Sequence, residues 1–148
     1  MPLKYDIERI SEVLGLHLEA HERPPSKMWL SKQIQEGFPV SALVAIYRDI
    51  CEYDSVLLRH IASLSTLQRR RRDGQRLSPD TSDALVRVAR VWILTLDAYG
   101  DQDMAKRFFT SPHSMLGGES PLSVSTNNAA GADAVACLID RLSSGVAV

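Results

Sequence analysis

Apolar residues in this chain recur at steps of three and four. Nowhere do they alternate with polar ones over a useful length, so the pattern predicts helices throughout and no sheet. Ile7, Ile10, Val13, Leu14 and Leu18 make one stripe over residues 5 to about 20, with Asp6, Glu8, Arg9 and Glu12 toward water. Pro24-Pro25 marks residues 22–27 as a linker. Residues 28–35 predict a second, short helix, broken by Gly37-Phe38-Pro39. Residues 41–50 predict a third, with Leu43, Ile46, Tyr47 and Ile50 on one face. Next comes a two-turn helix capped by Asp54 and running to Ile61. A three-residue link, Ala62-Ser63-Leu64, leads to a helix over residues 66 to about 72, with Ser65 as its cap and Asp73-Gly74 as its stop.

The second half carries the longest pattern. Ser78-Pro79-Asp80 is a strong helix start: Ser caps, Pro suits the first turn and Asp suits the positive end of the dipole. The helix is predicted to run to Tyr99, with Leu85, Val88, Ala89, Trp92, Leu96 and Tyr99 on its deep face. Val86, Val91, Ile93 and Leu94 extend the apolar surface nearly all round, as in a helix central to a core or shared with a subunit interface. Gly100 ends it. Asp101 caps a helix to about Thr110 that packs Met104, Ala105, Phe108 and Phe109, and Ser111-Pro112 closes it. Residues 113–127 form a compact link with one helical turn or two. A last helix begins near Asn128, buries Ala134, Val135, Leu138, Ile139 and Leu142, and stops at Gly145. Val146-Ala147-Val148 and a free carboxylate follow. By itself an end of this kind frays and does nothing.

Composition changes this picture little. Apolar residues are 45% of the 148 and charged ones 24%, ordinary values for one globular domain or two small modules. A chain this long can bury roughly two-thirds of its unfolded surface without a metal or disulfide. Cys51 and Cys137 both sit in apolar helical patterns, so buried free thiols and a reducing, cytoplasmic setting are expected. No apolar run is long enough to span a bilayer, and the N-terminus lacks a signal-peptide core.

Charge is more informative in its distribution than in its sum. The net charge is −1, yet residues 65–76 hold five arginines against Asp73 alone, a local +4. Two short helices with a brief link, the second rich in Arg, have the shape of a helix-turn-helix. Thr66 and Gln68 near the helix start would reach base edges, with Ser65 beside them in the DNA-binding set. Arg69, Arg70, Arg71 and Arg72 would meet phosphates or guanine. Four consecutive arginines point all round a helix, so they cannot share one groove, and a solvated basic helix end fits the same residues.

Catalytic and metal motifs are missing. There is no Gly-x-Ser-x-Gly elbow, zincin pair or Walker loop, and Asp80 and Asp83 read as partners of the helix dipole. His17 and His21 have a chelating spacing on the first predicted helix. Glu19 is misplaced for a zincin, and a solvated helix end is the preferred reading. Gly117-Gly118 has neither a following Lys-Ser/Thr nor a preceding strand, which argues against a phosphate cradle. The expectation is a binding protein, not an enzyme, with no cofactor and no metal.

One resemblance sharpens this. Arg69-Arg70, Leu77-Ser78, Ser82-Asp83, Leu85, Arg87-Val88-Ala89-Arg90, Gly100-Asp101, Ala105, Pro112, Leu116-Gly117-Gly118, Ser120-Pro121-Leu122, Gly131, Val135 and Gly145 match, in order and spacing, the toxin-binding domain of the Xre/MbcA/ParS antitoxins. The likeness covers residues 77–148. Ala84 stands where the pattern often has Arg, and Phe108-Phe109 where it often has Trp-Leu. The resemblance implies an all-α protein: an N-terminal helix-turn-helix-like (Xre-type) module over residues 1–75 and a C-terminal helical toxin-binding domain over residues 76–148. It implies an antitoxin of a type II pair whose partner is a cognate RES-domain toxin, an NAD-consuming enzyme or ADP-ribosyltransferase. The domain would cover the toxin's active-site entrance and the tail would enter it, giving Arg141, Ser144, Gly145, Val146, Ala147 and Val148 as toxin contacts. Operator DNA and a homodimer are the further partners implied. The competing expectation is a stand-alone transcriptional regulator whose C-terminal domain only dimerises.

Overall fold

Side-chain oxygens set where the helices begin. The computed structural model describes residues 6–145, and among them every regular element is helical. Asp6, Ser26, Asp54 and Ser63 each accept a hydrogen bond from a backbone N–H two or three residues on, at 2.9–3.1 Å. Ser78, Asp101, Ser120 and Asn128 do the same at 2.7–3.1 Å. Each contact satisfies an amide that has no partner inside its own helix, a contribution of about 1 kcal/mol. These caps open α1 (Ile7–Val13), α2 (Lys27–Glu36), α4 (Ser55–Leu58), α5 (Leu64–Asp73), α6 (Pro79–Tyr99), α7 (Gln102–Thr110), α8 (Pro121–Asn127) and α9 (Ala129–Ser143). α3 (Val40–Asp49) starts after Pro39 without a side-chain cap. No helix among the described residues is long and apolar enough to cross a membrane.

The chain divides into two compact units after Val86, within α6. In the N-terminal unit Leu14, Leu43, Ile46, Ile50, Leu58 and Leu85 are fully buried, with Phe38 among them. Phe38 is held by its backbone: its N–H donates to Ser82 Oγ (2.9 Å) and its carbonyl accepts from Leu77 N–H (2.9 Å). The adjoining Gly37 has φ +84°, and a Cβ there would lie 2.1 Å from the Leu77 carbonyl oxygen, so only glycine permits this approach.

Several boundaries differ from the sequence expectation. α1 stops at Val13, not near Ala20. Gly15 takes φ +62° and the Leu16 N–H reaches the Ser11 carbonyl, closing the helix while Leu18 still buries its side chain from the segment beyond. The predicted linker is partly helical, with a 3₁₀ turn at Ala20–Glu22 in which Glu22 accepts from Glu19 N–H. That bond holds the Glu22 carboxyl below its ordinary range. α4 is one turn, not two, and residues 59–63, not three residues, separate it from α5. Ser63, not Ser65, caps α5, because only its side chain is placed to accept from Thr66 N–H.

The C-terminal unit is built from the rest of α6 with α7, α8, α9 and a 3₁₀ turn at Ser114–Leu116. Val88, Val91, Phe109, Leu122 and Val135 are fully buried. Trp92 is 3% exposed and meets Phe109 edge to face, ring centroids 5.4 Å apart. Leu96 and Tyr99 are only half-buried. α8 and α9 pack most closely where Gly131 faces Val124: a Cβ on Gly131 would sit 2.2 Å from the Val124 carbonyl oxygen. Arg87 closes the end of α8, donating from Nε to the Ser125 carbonyl (3.1 Å) and from Nη2 to the Thr126 carbonyl (2.8 Å). Two expected core residues are exposed, Met104 on α7 and Ala134 on α9. Ala105 with Phe109, and Ala132 with Val135 and Ala136, occupy the inward positions instead.

Cys51 is buried and Cys137 exposed, against the expectation of two buried thiols. Burial pushes the Cys51 thiol up to about 12. The native protein should therefore react with Ellman's reagent at Cys137 only, and Cys51 should titrate after denaturation. Rapid release of both equivalents under native conditions would contradict the burial of Cys51. Replacing Trp92 by Ala should destabilise the protein by roughly 3–5 kcal/mol, removing the indole and leaving a cavity against Phe109. An unchanged thermal midpoint would rule out that packing.

Candidate functional site

The basic stretch lies on α5, and burial of Leu67 decides which of its side chains face water. Ser65, Gln68, Arg69 and Arg72 recur at three- and four-residue steps on the side away from Leu67, and all four are exposed. The other expected DNA-facing residues are placed differently. The Thr66 hydroxyl bonds Ser63 Oγ at 2.7 Å beside the cap. Arg70 turns its guanidinium to the carbonyl of Arg76, and Arg76 in turn donates to the Gly37 carbonyl (3.0 Å), so this pair ties down the turn after α5. Arg71 is exposed but one turn beyond Leu67, on the inward-leaning flank. Arg72 makes a 3.2 Å contact with Asp73, both solvent-facing, which leaves most of its charge available. One face thus brings together two arginines, an amide and a hydroxyl, a set able to meet phosphates and base edges.

In the C-terminal unit the expected toxin contacts gather at the end of α9. Arg141 is exposed in the last turn. Ser144 follows as C-cap, its Oγ donating to the Arg141 carbonyl (3.1 Å), and Gly145 has φ +76°. Val146, Ala147 and Val148 lie outside the described residues.

The loop after α7 is organised by His113. Its N–H donates to the Glu119 carbonyl (3.0 Å), its carbonyl accepts from Leu116 and Gly118 N–H (3.0 Å each), and its Nδ1 accepts from Met115 N–H (3.1 Å). The Gly117 amide is also turned inward, to the Ser114 carbonyl at 3.3 Å. The Gly-Gly pair therefore has its amides committed to the loop and supplies the left-handed conformations that close it, φ +67° and +84°. The His113 ring packs against Phe108 (5.9 Å between centroids), and Phe108 against Tyr99 (5.4 Å). Partial burial there pushes the Tyr99 phenol above its ordinary value.

His17 and His21 are not one turn apart on a helix, because α1 ends before them. His17 instead contacts Glu19 at 3.1 Å on the surface. Asp80 and Asp83 are exposed at the start of α6. The sequence reading missed the outward position of Met104. Periodicity gave no signal for it, because alanine occupies exposed and buried helix positions alike, as Ala134 and Ala105 show.

Most residues that carry the family likeness turn out to shape the fold. Gly100 ends α6 at φ +65°, Asp101 and Ser120 cap, Gly131 permits the α8–α9 approach, and Arg87 closes α8. A search of curated proteins finds no match to the chain. A family model does match, that of the antitoxin Xre/MbcA/ParS C-terminal toxin-binding domain, over residues 95–145. These residues run from the last turn of α6 through α7 and α8 to the end of α9, the set of elements just described as one unit. Over residues 95–145, therefore, the chain is similar to the C-terminal toxin-binding domain of the Xre/MbcA/ParS antitoxins.

Proposed function

We propose that this protein neutralises a RES-domain, NAD-consuming toxin and represses its own operon. The match of a toxin-binding domain over α7 to α9 carries the first half of this reading. Residues 76–148 provide toxin binding. The domain surface supplies most of the contact area and covers the active-site entrance. Arg141, Ser144 and Gly145 at the exposed end of α9 lead residues 146–148 toward it. An NAD pocket is a narrow cleft, and a thin segment of small residues can enter it where a folded surface cannot. The protein acts by occupancy and needs no catalytic group or cofactor of its own.

Operator binding rests on a separate observation, the exposed face of Ser65, Gln68, Arg69 and Arg72 within residues 1–75. A homodimer would present two such faces to a two-fold operator. The competing reading is a stand-alone regulator whose C-terminal domain only dimerises. A neighbouring reading frame encoding a RES protein would favour the antitoxin. A NAD-consumption assay on the co-purified pair tests it directly.

Replacing Arg69 and Arg72 together by Ala should weaken operator binding and reduce the slope of log K against log salt by about two, close to one per lost phosphate contact. Toxin neutralisation should be unaffected. A gel-shift titration identical to wild type would remove α5 from the DNA interface. Deleting residues 146–148 should leave the thermal midpoint and DNA binding intact. The toxin should still bind, but recover part of its NAD turnover at equal occupancy. Full inhibition by the truncated protein would assign neutralisation to the domain surface alone.

A further inference from the structure

α7 carries a side chain that its own amphipathic pattern would place inside. Met104 is 51% exposed, while Ala105 and Phe109 hold the inward face. One turn on, Phe108 is half-buried on the same side as Met104. From Phe108 the apolar surface continues in two directions. Tyr99 at the end of α6 stacks on it at 5.4 Å, and His113 meets it at 5.9 Å. The His113 Nδ1 then accepts from the N–H of Met115, which is 50% exposed. Met104 and Met115 are the large hydrophobics exposed in the C-terminal unit among the described residues, and both fall within the span that matches the toxin-binding domain.

We propose that this strip of Met104, Phe108, Tyr99 and Met115 is the surface on which the domain seats its toxin. The occupant is a folded protein offering an apolar recess. The inference rests on the reading of residues 95–145 as a toxin-binding domain and adds where on it the toxin docks. The chemistry fits a protein partner. Methionine is unbranched and polarisable, so two exposed methionines can adapt to a concave wall. The half-buried aromatic rings between them are already ordered and lose little entropy on contact. Asp101 and Arg107, three residues to either side of Met104, are exposed and of opposite sign. They provide the polar rim that sets orientation around an apolar centre. A protein fits the strip better than nucleic acid, since its centre is apolar and its rim carries charges of both signs. The loop built on His113 and the Gly117-Gly118 turn acquires a role in this arrangement: it fixes the Met115 amide on the His113 ring that packs against Phe108.

The test uses the full chain and, as probe, a purified RES-domain toxin. Met104→Glu with Met115→Glu should weaken binding by tenfold or more in a calorimetric titration, with the melting midpoint unchanged because both residues are surface-lying. Met104→Leu with Met115→Leu should stay within about twofold of wild type, since apolar area is kept. If the Glu pair lowers the melting midpoint, Met104→Gln with Met115→Gln replaces it and the same loss is expected. Binding equal to wild type by the charged or amide pair would overturn the proposal. So would a loss of affinity accompanied by a fall in the mass of the free protein in sedimentation, which would assign the strip to self-association. A wild-type chain that fails to bind the RES protein would overturn the parent reading, and this inference with it.

Discussion

A seven-residue helix has more unpaired backbone groups at its ends than hydrogen bonds within it, and this constraint governs the structure. α1 and α8 have seven residues, α7 nine and α4 four, so much of the described chain lies within one turn of a helix terminus. Such helices are not stable from propensity alone. Stability comes from caps at their starts, left-handed residues at their ends and burial of one face. Ser, Asp and Asn at eight helix starts, with glycine after α1, α6 and at the loop following α7, meet the first two needs. The apolar stripe meets the third.

Two contacts that no cap explains then hold the short helices together. Gly131 lets α9 approach the backbone of α8 to a distance that any side chain would prevent, and Gly37 does the same beside Leu77. Arginines serve the carbonyl ends. Arg87 takes the last carbonyls of α8, Arg70 takes the Arg76 carbonyl in the turn after α5, and Arg76 takes the Gly37 carbonyl at the end of α2. Part of the cationic character of the chain is therefore spent on structure. Of the arginine run on α5, Arg70 belongs to this class, while Arg69 and Arg72 are left on an open face with Gln68 and Ser65.

The functional consequence is a division of labour among the residues of one motif. The residues by which the C-terminal domain resembles its family mostly determine turns and close approaches, and so hold the frame. Exposed residues of the same domain lie outside that set: Met104 and Met115 on one side, Arg141 and Ser144 at the end of α9.

The sequence by itself determined the helical class, the starts of most helices, the long α6 with its stops at Tyr99 and Gly100, and the basic character of α5. Those features follow from local chemistry: periodicity, a capping oxygen two or three residues before its amide, a glycine where φ must be positive. Only the tertiary structure decided the rest. That α1 ends at Gly15, though the apolar stripe runs on to Leu18, depends on an extended segment burying Leu18 without a helix. That Ser63 and not Ser65 caps α5 depends on the one-turn length of α4, since both serines look alike in sequence. That Met104, Ala134 and Cys137 face water, while Ala105 and Ala132 face inward, depends on how closely neighbouring helices approach. A small residue is chosen for the tight side of a helix by its neighbours, and periodicity measures hydrophobicity without knowing the distance to the next backbone.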